Sequence, residues 1–327
     1  MSEDEQQENQ YAWAELPVVD ARRLELQDVD EVVRLFQACC EYGFFYLNLS
    51  SLDGSKVDES EGRILELMEG YFRQPLQTKL RDAVGSHTRG PAGTSTGVVE
   101  GSRDAYEALK VARDAVASQA HDPGLADTAY VQDVREFASA CDSLCYLILA
   151  RLSDALNLEA TERLESFHRH TVESTTFLGL LHYPSSDTLL NSGVGHNKHT
   201  DIGTLTLLLS RTPGLQVSTS DGWRFVRPRQ NHMVINVGDT VRFLSNALLK
   251  SCVHRVVPTK QTATQSRYSI CYFLRPESGV SVRTSDGRTR TVRQWHDEKY
   301  EVFKLSHDEQ KAGLVLTGGM DSKREHL

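Results

Sequence analysis

The spacing of hydrophobic positions along the chain changes near residue 171. Before this point apolar residues recur every three or four positions, as in amphipathic helices, and the longest such run extends from about Tyr130 to Leu156. After this point short β-branched and leucine-rich runs alternate with clusters of turn-forming residues. Short strands at such regular intervals are typical of sandwiches and jelly rolls. The pattern therefore predicts a mainly β protein with flanking α-helices.

Turn and capping residues set the expected limits of these elements. A first strand is predicted at residues 16–20, followed by a helix that Asp28 or Asp30 caps and Gly43 ends. A second helix is expected to stop at Pro75. Later strands are predicted at residues 44–47, 176–183, 204–209, 215–218, 223–226, 232–237, 253–258 and 269–274, and a final helix at 295–305.

One stretch fits neither pattern. Residues 85–101 contain five glycines with serine and threonine between them, which predicts a loop. This loop is either a surface excursion or a lid that closes over a site. The expected organisation is an N-terminal region at 1–170, a β core at 171–295, and a C-terminal helix and tail at 296–327.

Composition narrows the classes of partner. The chain has 327 residues and a formal net charge of −9, which disfavours nucleic acid or an anionic membrane and leaves a small molecule as the expected partner. Its six cysteines form no C-x-x-C pair, and no secretory or membrane-spanning run is evident, so a cytoplasmic location is expected. Nothing in the composition fixes the oligomeric state.

Candidate metal ligands lie at the start of one predicted strand and within another. His199 and Asp201 are two residues apart, a spacing that points both side chains to one face of a strand, and His254 lies in a later β-branched segment. Two histidines and one carboxylate are the ligand set of non-haem Fe(II) oxygenases. A zinc hydrolase could use the same ligands, but no general base is identifiable beside them. One histidine and one aspartate at this spacing are weak evidence alone, since roughly one such pair is expected by chance in a chain of this length.

A second pair of polar residues, Arg267 and Ser269, is also two positions apart. Arg267 and Ser269 would point the same way from a predicted strand, and an arginine fork beside a hydroxyl forms a receptor for a carboxylate.

Taken in order, these motifs resemble the 2-oxoglutarate- and Fe(II)-dependent dioxygenases, in the branch that includes isopenicillin N synthase and the plant flavonoid and gibberellin oxygenases. The matching segments cover most of the chain: residues 16–20, 38–45, 182–184, 199–208, 214–217, 236–239, 250–257 and 267–270. The resemblance implies a double-stranded β-helix, or jelly roll, as the core. It also implies oxidation of a small organic molecule in natural-product biosynthesis, by hydroxylation or by desaturation, ring expansion or cyclisation.

The resemblance also assigns roles and cofactors. His199, Asp201 and His254 would bind Fe(II), O2 would be the oxidant, and ascorbate is a candidate reductant. The distal carboxylate of 2-oxoglutarate would be held by Arg267 and Ser269, with Tyr183 as a further contact to this cosubstrate. Candidate substrate contacts are Phe273, His196 and Lys198, although a solvated loop is the more common setting for residues such as His196 and Lys198, and a core position for a strand phenylalanine.

One departure and two alternatives remain open. The family's glycine before the distal histidine is Ala247 here, which predicts a turn that is not left-handed. The protein could be an iron oxidase of the same fold that does not use 2-oxoglutarate, because such relatives can keep the arginine and serine pair. It could also be a catalytically inactive binding protein, although that class predicts disrupted ligands and all three are present.

Overall fold

The computed structural model describes residues 11–52, 56–79, 106–113, 130–185, 195–311 and 313–320. The predicted glycine-rich loop at 85–101 lies outside the described residues. The first half contains β1 (Val18–Asp20), α1 (Ala21–Glu25), α2 (Val29–Glu41), β2 (Phe44–Asn48), α3 (Lys56–Phe72), α4 (Leu76–Lys79), β3 (Glu107–Ala112) and α5 (Val131–Ala155).

The second half is richer in strands, as the sequence predicts. It contains β4 (Phe177–Tyr183), β5 (His196–His199), β6 (Leu205–Leu209), β7 (Leu215–Thr219), β8 (Gly222–Phe225), β9 (His232–Val237), α6 (Asp239–Leu244), β10 (His254–Val256), α7 (Lys260–Thr264), β11 (Arg267–Leu274), β12 (Ser281–Arg283), β13 (Thr289–Thr291), α8 (Val292–Phe303) and α9 (His307–Lys311). The predicted last helix is α8, and the short α9 follows it.

Local chemistry explains where α2 begins and ends. Asp28, rather than Asp30, caps the helix, because its carboxylate accepts a hydrogen bond from the backbone N–H of Glu31. Gly43 follows the helix with a φ of +67°, and a Cβ there would lie 2.0 Å from the carbonyl oxygen of Lys250. Only glycine permits both this left-handed turn and the close approach of the second chain segment.

Two sheets form the core. A seven-stranded sheet has the order β1-β2-β9-β6-β11-β4-β3, and a four-stranded sheet has the order β5-β10-β7-β8. Side chains from both sheets form one buried apolar cluster, which includes Tyr183, Leu208 and Cys271 from the larger sheet and Leu215 and Val256 from the smaller. This confirms the predicted mainly β architecture of jelly-roll type, with two facing sheets that do not close into a barrel.

The helices cover the outer face of the larger sheet. Along β11, Ile270, Tyr272 and Leu274 belong to a second apolar cluster that includes residues of α5. Cys141 and Cys145 of α5 are buried in that cluster, as predicted for core residues. Alternate residues of β11 therefore face the helices and the smaller sheet, which is the period of two expected for a strand buried on both faces.

Two local expectations are wrong. His199 ends β5, and Asp201 lies in the connection to β6, so the two ligands do not begin one strand. Ala247 has a φ of +65°, although its side chain predicted a turn that is not left-handed. Its backbone N–H donates to the carbonyl oxygen of Arg242, and this closure of α6 outweighs the roughly 1–2 kcal/mol cost of a left-handed alanine.

Among the described residues, no helix has both the length and the hydrophobicity needed to cross a bilayer.

Candidate metal centre

The three predicted ligands lie together inside the jelly roll. His254 of β10 is directly opposite His199 of β5 in the smaller sheet, and Asp201 follows β5 by two residues. Oδ1 of Asp201 is 3.6 Å from Nε2 of His199 and 3.7 Å from Nε2 of His254. All three side chains are buried. Two imidazole nitrogens and one carboxylate oxygen therefore converge on one point.

An irregularity in β5 positions a third histidine ring. His254 pairs with His199 and Val256 pairs with His196, so three steps along β5 correspond to two along β10. This extra residue is a β-bulge, and it brings His196 to the same side as His199. Their rings stack with centroids 4.2 Å apart. His196, a predicted substrate contact, therefore packs against the candidate metal ligand His199. Lys198, the other predicted contact on this strand, is half-buried.

Backbone carbonyl groups fix the orientation of both ligand imidazoles. Nδ1 of His199 lies 2.7 Å from the carbonyl oxygen of Asn197, and Nδ1 of His254 lies 3.1 Å from that of Cys252. A carbonyl oxygen only accepts, so each Nδ1 carries the proton and donates it. Each Nε2 then has a lone pair directed at Asp201. A metal requires this tautomer, in which Nδ1 carries the proton and Nε2 is free to coordinate.

The two oxygens of Asp201 have different partners. Oδ2 accepts hydrogen bonds from the amide of Asn236 at 2.6 Å and from the hydroxyl of Thr206 at 2.5 Å. Oδ1 faces the two imidazoles. Sequence reasoning assigned no role to Asn236 or Thr206, although a polar residue within a buried apolar strand signals a specific hydrogen-bond partner.

The protonation states suit a divalent cation. Burial and the neighbouring His199 lower the pKa of His254 to about 4. Burial, followed by the neighbouring His196, also lowers the pKa of His199. Burial acts to raise the pKa of Asp201, but the two imidazoles and the Asn236 amide hold it well below its usual range. Neutral imidazoles beside an ionised carboxylate at neutral pH are the form in which these groups bind metal, so the residues present fit Fe(II).

The predicted cosubstrate residues lie on two adjacent strands. Arg267 of β11 pairs directly with Tyr183 of β4, and its guanidinium lies 5.0 Å from the centre of the Tyr183 ring. Nη1 of Arg267 donates to the hydroxyl of Ser269 at 2.5 Å. The arginine is only 2% exposed, and it forms no ion pair with a carboxylate among the described residues. Burial lowers its pKa. A buried cation without a counterion is a receptor for an anionic ligand.

Gly214 provides space for this arginine. It precedes β7, and a Cβ at its position would lie 2.9 Å from Nε and 3.0 Å from Cδ of Arg267. A larger residue at this position would displace the guanidinium. The sequence motif that includes Gly214 indicated a family resemblance but not this steric role.

A buried polar cluster supports the ligand-bearing segments. The carboxylate of Asp239, at the start of α6, accepts hydrogen bonds from Thr200 at 3.0 Å and from Ser251 at 2.9 Å. Thr200 lies between two of the ligands, and Ser251 is three residues before the third. Lys299 of α8 donates to both Asp239 and Thr200. The backbone N–H of Asp239 also donates to the carbonyl oxygen of Asp201 at 2.8 Å. The C-terminal helix is therefore tied to the metal centre.

Two protein-family models together match most of the chain. Residues 175–276 match the 2OG-Fe(II) oxygenase superfamily, and residues 16–131 match the family described as non-haem dioxygenase in morphine synthesis N-terminal. The 2-oxoglutarate-dependent dioxygenase frbH of Dothideomycetidae sp. is 45% identical over 94% of this chain and 96% of that protein. The 2-oxoglutarate-dependent dioxygenase gloE of Glarea lozoyensis is 40% identical over 96% and 95%.

Solved structures agree with the fold. The crystal structure of the dioxygenase for auxin oxidation from rice has a TM-score of 0.68 and 21% identity, and the match covers 89% of this chain and all of that one. The sequence relatives are similar enough, over nearly their full length, to identify the family. The chain belongs to the 2-oxoglutarate-dependent dioxygenases, and it is a non-haem enzyme that uses Fe(II) and 2-oxoglutarate.

Proposed function

We propose that His199, Asp201 and His254 hold the Fe(II), and that Arg267, Ser269 and Tyr183 hold the distal carboxylate of 2-oxoglutarate. The observation that carries this assignment is the convergence of two Nε2 atoms and one Oδ1 atom on a single point. Among the described residues, this is the one group of three or more histidine, cysteine or acidic side chains close enough together to bind a metal ion. A buried arginine without a counterion on the larger sheet supports the cosubstrate assignment.

The chain's own residues act by orienting and neutralising the bound groups. When bound, iron and 2-oxoglutarate use O2 to oxidise a C–H bond, with release of succinate and CO2. The carbonyl groups of Asn197 and Cys252 keep both ligand imidazoles in the metal-binding tautomer. Asn236 and Thr206 hold one oxygen of Asp201, which leaves the other for the metal. The apolar cluster between the two sheets keeps water away from the reacting groups.

The substrate is a small organic molecule, oxidised in natural-product biosynthesis. One of the two matching families is described by its part in morphine synthesis, and the rice protein of the same fold is described as acting in auxin oxidation. A net charge of −9 supports a small molecule over nucleic acid or an anionic membrane. Six free cysteines support a reducing, cytoplasmic compartment, and ascorbate is the candidate reductant.

Succinate formation tests the assignment. Purified protein with Fe(II), 2-oxoglutarate, ascorbate and a metabolite extract should form succinate in step with the change in mass of one extract component. His199→Ala should abolish both, because two remaining ligands do not hold Fe(II) tightly. A change in mass without added 2-oxoglutarate would favour the oxidase alternative. Full activity of His199→Ala would refute the ligand assignment.

A further inference from the structure

One row of side chains crosses the inner face of the larger sheet beside the metal ligands. In register it contains Phe177 of β4, Phe273 of β11, Thr206 of β6 and Asn236 of β9. Thr206 and Asn236 hold Asp201, so the two phenylalanines lie at the level of the metal centre. Their rings stack with centroids 4.6 Å apart and an angle of 13° between planes. Phe273, the predicted substrate contact, therefore forms part of an aromatic wall beside the ligands.

Glycine at the centre of β4 makes the stacking possible. A Cβ at Gly179 would lie 3.0 Å from the ring of Phe273 and 3.1 Å from that of Phe177. Gly179 pairs with Lys110 of β3 on one side. Leu109 and Val111, the neighbours of Lys110, belong to the cluster on the helix side of the sheet, so Lys110 lies on the inner face.

Two cations flank the aromatic wall. Nζ of Lys110 lies 5.5 Å from the centre of the Phe177 ring, and the guanidinium of Arg275 lies 4.9 Å from the same centre. Arg275 follows β11 and is 7% exposed. Lys110 is half-buried. Neither side chain forms an ion pair with a carboxylate among the residues that the structure describes, although burying an uncompensated cation is costly.

The electrostatic environment of Lys110 and Arg275 favours an anion between them. Burial, followed by the like charge of Arg275, lowers the pKa of Lys110 to about 8. Burial lowers the pKa of Arg275 to about 10, and only Asp201 opposes this effect. The charge of Asp201 is committed to the metal in the proposed holoenzyme. An anion between Lys110 and Arg275 would stabilise both cations.

The guanidinium of Arg275 has an edge available for a ligand. Nη1 donates to the carbonyl oxygen of Thr175 at 3.2 Å, whereas Nε is buried and has no hydrogen-bond partner among the described residues. The edge formed by Nε and Nη2 is one of the two that bind a carboxylate through a pair of parallel hydrogen bonds.

Arg275 is also separated from the predicted cosubstrate site. Arg267, Phe273 and Arg275 are an even number of residues apart, so they share the inner face of one chain segment. Eight residues at about 3.3 Å per residue place the two arginines on the order of 26 Å apart. Phe273, which lies between them, is in register with Thr206, and Thr206 is in register with Asn236. Because Thr206 and Asn236 hold Asp201, the metal centre lies beside this span. One end is thus available to 2-oxoglutarate and the other to the substrate.

We propose that Arg275 and Lys110 bind a carboxylate of the substrate, and that the rings of Phe177 and Phe273 pack against its apolar body. The enzyme would therefore oxidise a small carboxylic acid rather than a neutral compound. This inference rests on the proposed function, because it assumes that 2-oxoglutarate occupies the Arg267 end.

Binding measured without turnover tests the subsite. Protein loaded with Mn(II) and saturating 2-oxoglutarate in the absence of O2 is titrated calorimetrically with a panel of L-amino acids and aliphatic and aryl-alkyl carboxylic acids. Each acid is compared with its primary amide. At least one acid should bind, and its amide should bind at least tenfold more weakly. Arg275→Gln and Lys110→Met should each weaken the binding of that acid by at least tenfold, whereas Arg283→Gln, which removes an exposed cation on β12, should not.

The same samples separate the possible failures. Titration of 2-oxoglutarate into each Mn(II) protein should give wild-type affinity in Arg275→Gln and Lys110→Met, which also shows that these variants are folded. If wild-type protein fails to bind 2-oxoglutarate, the proposed cosubstrate site is wrong. If 2-oxoglutarate binds but no acid does, or acids and amides bind equally, the carboxylate subsite is wrong. Loss of 2-oxoglutarate binding in Arg275→Gln would also overturn the subsite.

Discussion

The ammonium group of Lys299 lies 2.6 Å from Oδ2 of Asp239, and neither side chain has any exposed surface. Lys299→Met should lower the free energy of unfolding by about 3 kcal/mol, because it leaves a buried carboxylate without its closest cation. The effect should fall at the lower end of the usual range, since Nη2 of Arg242 remains 3.5 Å from Oδ1 of Asp239. Urea unfolding followed by circular dichroism measures the change.

Two further variants show whether the unpaired charge is the cause. Combining Lys299→Met with Asp239→Asn should restore part of the lost stability, because the unpaired carboxylate is then removed, and Arg242 loses only its longer contact with Asp239. Lys304→Met removes a solvent-exposed ion pair with Glu301 at the end of the same helix and should change stability by less than about 1 kcal/mol. Equal losses in Lys299→Met and Lys304→Met would contradict the special role of the buried pair.

Asn236 should control metal affinity without binding the metal. Asn236→Ala removes a hydrogen bond to Oδ2 of Asp201, so the carboxylate can rotate away from the two imidazoles. We expect Mn(II) to bind about 10- to 100-fold more weakly, as for other residues that orient metal ligands. Anaerobic calorimetry measures the affinity. Asn48→Ala on the neighbouring strand is the matched control, because its amide contacts Asp20 instead. Unchanged affinity in Asn236→Ala would show that Thr206 is sufficient to hold Asp201.

Gly214 should affect 2-oxoglutarate binding through Arg267. Arg267→Leu should weaken binding by roughly 2 to 5 kcal/mol, the usual effect of removing one partner of a buried charge pair. Gly214→Ala keeps the arginine side chain but shifts its guanidinium, so the loss of affinity should be smaller than in Arg267→Leu. Gly222→Ala is the control, because Gly222 also has a positive φ, of +95°, and a Cβ there would meet no described atom within 4 Å. The affinity is measured by titrating 2-oxoglutarate into the Mn(II) protein, and equal affinities in Gly214→Ala and Gly222→Ala would contradict the steric explanation.

His168 should make the fold sensitive to acid. Its ring is buried between the carbonyl oxygen of Leu164 and the hydroxyl of Thr204, and burial lowers its pKa from 6.5 to about 4. Between these values the unfolded chain binds a proton that the folded protein does not, so stability falls as pH drops from about 6.5 towards 4. The loss attributable to this residue is about 3 kcal/mol. His168→Gln should show a correspondingly smaller loss across this range in urea unfolding, and an equal loss would assign the effect to other groups.

The sequence indicates the candidate ligands more readily than the residues that support them. His199, Asp201, His254 and Arg267 were predicted because particular residue types recur at particular spacings, and the structure brings the first three together. The bulge in β5 was not, because it depends on pairing with a strand more than fifty residues away. Lys299 resembles a solvent-exposed residue of an amphipathic helix, and only the tertiary fold brings it to Asp239.

Elsewhere local preference and tertiary structure compete. The cap at Asp28 follows local chemistry and was one of the two capping residues that the sequence predicted. The left-handed Ala247 was not, since the hydrogen bonds that close α6 override the preference of a single side chain. Lys110 lies on β3, a strand that the sequence did not predict, so its place beside the aromatic wall could not be anticipated.

β11 is hydrogen-bonded on one edge to β4 and on the other to β6, so it cannot lengthen or slide without breaking both pairings. For a substrate anchored at Arg275, the distance from its carboxylate to the metal would therefore be fixed. The carbon that reaches the metal would be set by its number of bonds from the carboxylate rather than by its own reactivity. Lengthening the substrate by one methylene should move oxidation one carbon along its chain. The position of β11 would then determine which carbon of the substrate is oxidised.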